Sequence, residues 1–240
     1  MRRISTVVNT NAGPSICYFC GQKATTREHY PPKSFFPNKG EGLQLKTVPS
    51  CQTHNNEKSH IDQYVLGHIT MNQGRDLNEA RRVFDRSIKP QLAIDKNFKL
   101  KLVDGSDDQT DGTVRYRVDR TIFGDFFDAL TRAVLFDRFS IVLPSDTFKL
   151  NHVYLAFQSD RGVAKVEQLA KGLGYDFFTR NKTWVTEEVH DHLDKFVYRR
   201  KIMAPLGYSG SISVLHTFYD FFDVLTLASN YHSINAILHR

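Results

Sequence analysis

The sequence predicts an α+β fold, with helices and antiparallel strands mixed along the chain, and three observations carry that expectation. Apolar residues recur at helical spacing in some stretches, such as Phe126, Phe127, Leu130, Val134 and Leu135. Elsewhere they alternate with polar ones, as in Val114-Arg-Tyr-Arg-Val. The first 60 residues follow neither rule: they are rich in Pro, Gly, Asn, Lys and Cys, which predicts a small irregular module ahead of the regular part. The boundaries that follow are residues 1–70 for the module and 71–240 for a mixed helix and antiparallel-strand domain. A chain of 240 residues suits one to two domains at about 150 residues each.

Each element has its own signal. Residues 12–25 read as a knuckle-like turn. A helix is predicted from Asn55, capped by Thr53, with Ile61, Tyr64, Val65, His68 and Ile69 on one stripe. After a break near Gly74 the helical pattern resumes at Leu77 and runs to Arg86, and Pro90 is expected to close it. Phe98-Lys-Leu-Lys-Leu-Val and Val114 to Val118 alternate on either side of a polar turn, Asp104 to Gly112, which predicts a hairpin with a long loop. The aspartates of that turn do not have calcium-loop spacing. Phe123 to Phe139 and Val163 to Leu173 are predicted helices, the second stopped by Gly174. Phe196 to Ile202 and Ile212 to Leu227 read as strands joined by Ala-Pro-Leu-Gly-Tyr-Ser-Gly, with Phe218, Tyr219, Phe221 and Phe222 as core.

Composition excludes several classes. With 40% hydrophobic and 24% charged residues the chain is neither disordered nor fibrous. No run of about 18 apolar residues offers a membrane span, and the opening Met-Arg-Arg-Ile-Ser lacks the apolar stretch of a signal peptide, so a cytoplasmic protein without a membrane partner is expected. Charge is unevenly placed. Residues 1–60 hold eight basic and three acidic side chains, whereas the remaining 180 hold 24 and 23. A compact positive module suits a polyanion such as nucleic acid.

All three cysteines lie in that module. Cys17-x-x-Cys20 is followed thirty residues later by Cys51-x-x-His54. Two short-spaced pairs of soft ligands can each grip one edge of a tetrahedron, so a structural Zn2+ held by Cys17, Cys20, Cys51 and His54 is expected. An odd cysteine count argues against a disulfide framework, and no βαβ pattern supports a redox Cys-x-x-Cys. Between the two pairs lies Glu28-His29-Tyr30-Pro31, and directly after them Asn55-Asn56-Glu57-Lys58. A carboxylate beside an imidazole can hold a hard cation while the imidazole takes a proton from water, and a carboxamide such as Asn55 could complete a Mg2+ site that keeps open positions.

Cys17-x-x-Cys20, Glu28-His29-x-Pro31 and Thr47-Val-Pro-Ser-Cys51-x-x-His54-Asn55-x-x-Lys58 together resemble the zinc-containing branch of the HNH endonucleases, the ββα-metal nucleases, over about residues 15–65. The resemblance implies an HNH module with a metal-dependent nuclease activity on phosphodiester bonds, DNA more than RNA. His29 would activate water, and Glu28 and Asn55 would hold a catalytic Mg2+ or Mn2+. Lys33, Lys39, Lys46 and Lys58 would hold flanking phosphates. Family context suggests a phage, restriction or antiphage-defence effector. Three departures stand out: Glu28 replaces the commoner Asp, His54 replaces the commoner Cys, and the middle Asn of the motif falls near Lys46, so Lys46, Thr47 or another group must support His29. His60 is a further candidate ligand. The alternatives are a zinc-stabilised nucleic-acid-binding module that does not cut, and a nuclease subunit silent until a partner docks on residues 90–240, a region that could equally form a homodimer. His190, His192 and Asp194 are a weaker metal candidate. Trp184 reads as a core or interface anchor, and Arg81, Arg82 and Arg86 as a solvated basic helix face.

Overall fold

A computed structural model describes residues 15–56, 58–72, 78–108, 114–143, 145, 148–157, 184–189, 197–205 and 211–230. It is a mixed α+β structure with antiparallel sheets. Residues 15–24 form a tight hairpin closed by the Ile16–Lys23 bridge, with the Cys17 N–H donating to the Gln22 carbonyl at 2.7 Å. Its turn needs Gly21, whose φ of +73° is left-handed. Strands β1 (Thr26–His29) and β2 (Thr47–Ser50) then pair antiparallel, with Glu28 opposite Val48 and His29 opposite Thr47. The connection between them makes two 3-10 turns that sink Phe35 and Phe36 into the core.

The helix expected from Asn55 arrives in two pieces, α1 (Gln52–Asn56) and α2 (Ser59–Met71). Thr53 therefore lies inside α1 and is not its cap. The short first piece has a local cause: a helical turn places Cys51 and His54, three residues apart, on the same side. The stripe on α2 is broader than the sequence suggests, since every residue from Tyr64 to Thr70 is buried. Next come α3 (Asn78–Val83), a π-helical stretch at Phe84–Ile88 and α4 (Lys89–Ile94). Pro90 does not close the helix as expected. It sits in the first turn of α4, where a missing N–H costs nothing. Arg81 and Arg82 pair along their own helix with Asp85 and Glu79, in keeping with a solvated face.

The stretch expected as the first hairpin strand is instead α5 (Lys96–Leu102), capped by Asp95, whose carboxylate accepts from the Phe98 N–H at 2.9 Å. Phe98 and Leu102 are four apart and share a helix face, so Leu102 is fully buried while Leu100 between them is 67% exposed. What remains of the hairpin is β3 (Asp107–Asp108) against β4 (Val114–Arg115), two residues each. Helix α6 (Arg120–Phe139) matches its prediction and is capped by Asp119, which accepts from Thr121 and Ile122.

Strands β5 (Phe148–Tyr154), β6 (Trp184–Val189), β7 (Tyr198–Pro205), β8 (Ser211–Phe218) and β9 (Phe222–Asn230) form one antiparallel sheet in the order β5-β9-β8-β7-β6. The run Ile212 to Leu227, expected as one strand, is two. Tyr219 and Asp220 adopt left-handed φ of 51° and 62° and turn the chain back on itself. The aromatic stripe is core, as expected, with Phe218, Tyr219 and Phe222 buried. The helix expected at Val163–Leu173, the His190, His192 and Asp194 group, and the Trp184 side chain lie outside the described residues.

Helix α6 is the spine. One side meets the sheet through Phe126 and Phe127 against Phe218, and through Thr131, which hydrogen-bonds buried His216 at 2.9 Å. The other meets α2, where Tyr64 contacts Phe123. Phe35 stacks on Phe126 and touches Phe218, so the apolar packing runs unbroken from the β1–β2 connection into the sheet. Asp137 on α6 ties the parts electrostatically, pairing with Lys46 at 3.1 Å and with buried Arg200 on β7 at 3.2 Å. No helix among the described residues is long and apolar enough to cross a membrane.

Candidate functional site

The knuckle hairpin brings Cys17 and Cys20 to the start of α1, where Cys51 and His54 wait. The four donor atoms lie within 4.8 Å of one another. Cys20 Sγ is 3.9 Å from Cys51 Sγ, and His54 Nδ1 is 3.8 Å from Cys17 Sγ and 3.1 Å from Cys51 Sγ. Zn–S bonds of about 2.3 Å give a tetrahedron with edges of about 3.8 Å, so the donor set fits a metal ion such as zinc. The cysteines are free thiols. Burial raises the Cys17 thiol, but backbone amides of Cys20, Cys51 and Phe19 pointing at its sulfur more than offset this and favour the thiolate. Burial and the neighbouring Cys17 push Cys20 up to about 11. Two crowded thiols resist joint ionisation, which a dication between them would reverse. Phe19, inside the Cys-x-x-Cys turn, stacks on the His54 ring at 4.3 Å, and the Arg132 guanidinium of α6 lies 4.9 Å from the Phe19 ring centre.

Beside this cluster a small cleft is lined by Glu28, His29, Lys58 and Asp62 on one side and by apolar residues of α6 on the other. Successive strand residues leave on opposite faces, yet Glu28 and His29 both reach the cleft, which runs past the end of β1. Glu28 is not open. Lys58 Nζ lies 3.1 Å from Oε1 and 3.4 Å from Oε2, and the Tyr18 hydroxyl donates to Oε2 at 2.8 Å. Lys58 also donates to the Tyr18 hydroxyl oxygen, and its ammonium sits 5.1 Å from the Tyr18 ring centre and 5.4 Å from that of Phe19. Both members of the pair are shielded, with side chains 13% and 15% exposed. Burial raises the Glu28 carboxyl, against the opposing pull of Lys58 and Tyr18. Asp62, one helical turn after Lys58, is raised to about 7 by burial and by the nearby Glu28 charge.

His29 is held differently. Its Nδ1 is buried and has no hydrogen-bond partner. Burial, then the positive charges of Lys33 and Arg27, lower its pKa, while the Lys46 carbonyl favours the protonated ring. The support expected from Lys46 thus comes from its backbone, and its side chain is spent on Asp137. Asn55 is half-buried in α1 and does not line the cleft. His60 is exposed on α2, also outside the cleft. Of the four lysines expected to hold phosphates, Lys33 and Lys39 are exposed, whereas Lys46 and Lys58 are committed to carboxylates.

Tyr18 and Asp62 are site residues that motif reading passes over. The second had a signal, since Lys58 and Asp62 at i and i+4 share a helix face. Tyr18 had none beyond its place between two cysteines. No family model, curated protein or solved structure matches this chain.

Proposed function

We propose that this chain is an endonuclease of the HNH type that hydrolyses phosphodiester bonds of nucleic acid, DNA in preference to RNA, and acts as a phage, restriction or defence effector. One observation carries the reading: the acid–imidazole pair Glu28–His29 ends a strand of the same β1–β2–α1 unit that assembles the Cys17, Cys20, Cys51 and His54 cluster, beside a cleft. Structural Zn2+ would be held by those four side chains. Four protein donors close the tetrahedron, so it would fix the hairpin to the helix and leave the chemistry to other groups.

His29 is suited to general-base work. Its lowered pKa keeps the ring neutral at neutral pH, so that it would be able to take a proton from water. Lys33 and Arg27 lie close enough to depress the imidazolium, and the same charges would favour a phosphate at that place. Lys39 would extend the positive track, so binding should weaken steeply with salt. The catalytic Mg2+ or Mn2+ implied by the HNH resemblance finds its donors already used: both Glu28 oxygens are engaged, and Asn55 stands outside the cleft. No step of the mechanism is therefore routed through a second metal.

The engaged Glu28 favours one reading of another class, a zinc-stabilised module that binds nucleic acid without cutting it. A nicking assay on supercoiled plasmid and on labelled RNA, with Mg2+, Mn2+ or neither, separates the two. His29→Ala is expected to lose about a hundredfold to ten-thousandfold in rate while still binding. Equal cutting by both proteins, or binding with no cutting of either substrate, would overturn the nuclease reading.

A further inference from the structure

We propose that Lys58 is the built-in cation of the cleft: its ammonium takes the place on Glu28 that a divalent ion would take, so the cleft itself holds no metal. The geometry is that of a cation site. Lys58 Nζ meets both Glu28 oxygens and the Tyr18 hydroxyl, and two aromatic rings lie within 5.4 Å. A lysine free to seek phosphate would lie along solvent; this one is shielded by Tyr18, Phe19 and Glu28. Rings that face an ammonium suit a monovalent, softly hydrated charge, whereas Mg2+ and Mn2+ demand oxygen donors and retained waters.

The charge balance points the same way. Glu28 and Asp62 place two carboxylates at one cleft, and the Lys58 charge acts on both. Asp62 follows Lys58 by one helical turn, its N–H donating to the Lys58 carbonyl at 2.8 Å, so the two side chains rise from the same face of α2. Remove the ammonium and the cleft keeps the Glu28 and Asp62 carboxylates, with the Tyr18 hydroxyl on Glu28. That donor set is oxygen only, which is what a hard divalent ion binds. Lys58 therefore decides which cation the cleft holds.

The consequence for cleavage rests on the nuclease reading, but the test does not. Mn2+ binding to zinc-loaded full-length protein is measured by the loss of free-ion paramagnetic resonance signal, which needs no substrate. The thiolate cluster keeps its zinc under these conditions because sulfur donors disfavour Mn2+. Wild type is expected to bind no Mn2+ at the cleft. Lys58→Met is expected to gain one Mn2+ per chain there, and Lys58→Met with Glu28→Gln is expected to lose it again. Should Lys58→Met fail to fold, Lys58→Gln, one atom shorter but still a neutral hydrogen-bond donor, carries the same expectation. Wild-type protein that binds one Mn2+ in a manner abolished by Glu28→Gln would overturn the proposal. So would a folded neutral variant that gains no site. A chain that behaves as expected here and cuts neither DNA nor RNA would sink the nuclease reading alone.

Discussion

At the scale of single residues, the molecule keeps several ionisable groups dry. His68 on α2 is fully buried among Tyr64, Tyr116 and Phe123, with ring centroids 4.4, 5.0 and 5.8 Å away, and neither ring nitrogen has a partner. Burial alone pushes its pKa down to about 4. The unfolded chain, with an ordinary histidine near 6.5, takes up the proton more readily between those values. Stability is therefore complete above about pH 6.5 and falls as the pH drops toward 4, by about 3 kcal/mol from this residue. His68→Phe, which fills the aromatic cage without buried nitrogens, should raise the urea midpoint at pH 5 more than at pH 8. An equal shift at both would mean that the ring titrates normally. The sequence put His68 on the apolar stripe correctly, because helical periodicity is blind to the ring's polarity. What it could not convey is that Lys58 points at Glu28. That depends on how the α1–α2 break turns the helix relative to β1, a tertiary matter with no local signature.

Elements were legible wherever one period had no competitor. Helix α6 carries twenty residues of consistent helical spacing and an aspartate cap, and it appears where expected. The Phe98–Leu102 stretch failed because apolar residues at positions 98, 100 and 102 satisfy alternation, while 98 and 102 alone satisfy a helix. The Asp95 cap settles the choice locally, and its match to the Phe98 N–H was available in the sequence. Helix and strand predict different costs. Leu102→Ala should destabilise by about 3 kcal/mol, since the side chain is fully buried, while Leu100→Gln should stay within about 0.5 kcal/mol. Similar losses at both positions, read from urea unfolding, would restore the strand. The β8–β9 hairpin was missed for another reason: its reversal is made by Tyr219 and Asp220, with no glycine or proline to announce it.

At the scale of the whole molecule, the cysteine–histidine cluster was the most legible part, because ligand spacing is a local property: Cys17, Cys20, Cys51 and His54 converge within 4.8 Å. The Cys-x-x-Cys turn also carries Phe19, whose ring meets His54, Arg132 of α6 and Lys58 of the cleft. Metal loss should therefore spread beyond the knuckle. Purified protein is expected to hold one zinc per chain, and Cys51→Ser should lose both the zinc and the cooperative thermal transition, followed by metal analysis and circular dichroism. A variant free of zinc that still melts cooperatively at the wild-type temperature would show that the cluster is not a structural clasp. The acid, imidazole and amide were all visible as residue types, but only the first two share the cleft.

The contact of Phe35 with Phe126 and Phe218 has a consequence for how such a chain can diversify. A hairpin whose connecting loop forms part of another layer's interior is not a cassette. Any genetic exchange that moves it must bring α6 and β8 along, or leave a bare aromatic surface on both donor and recipient.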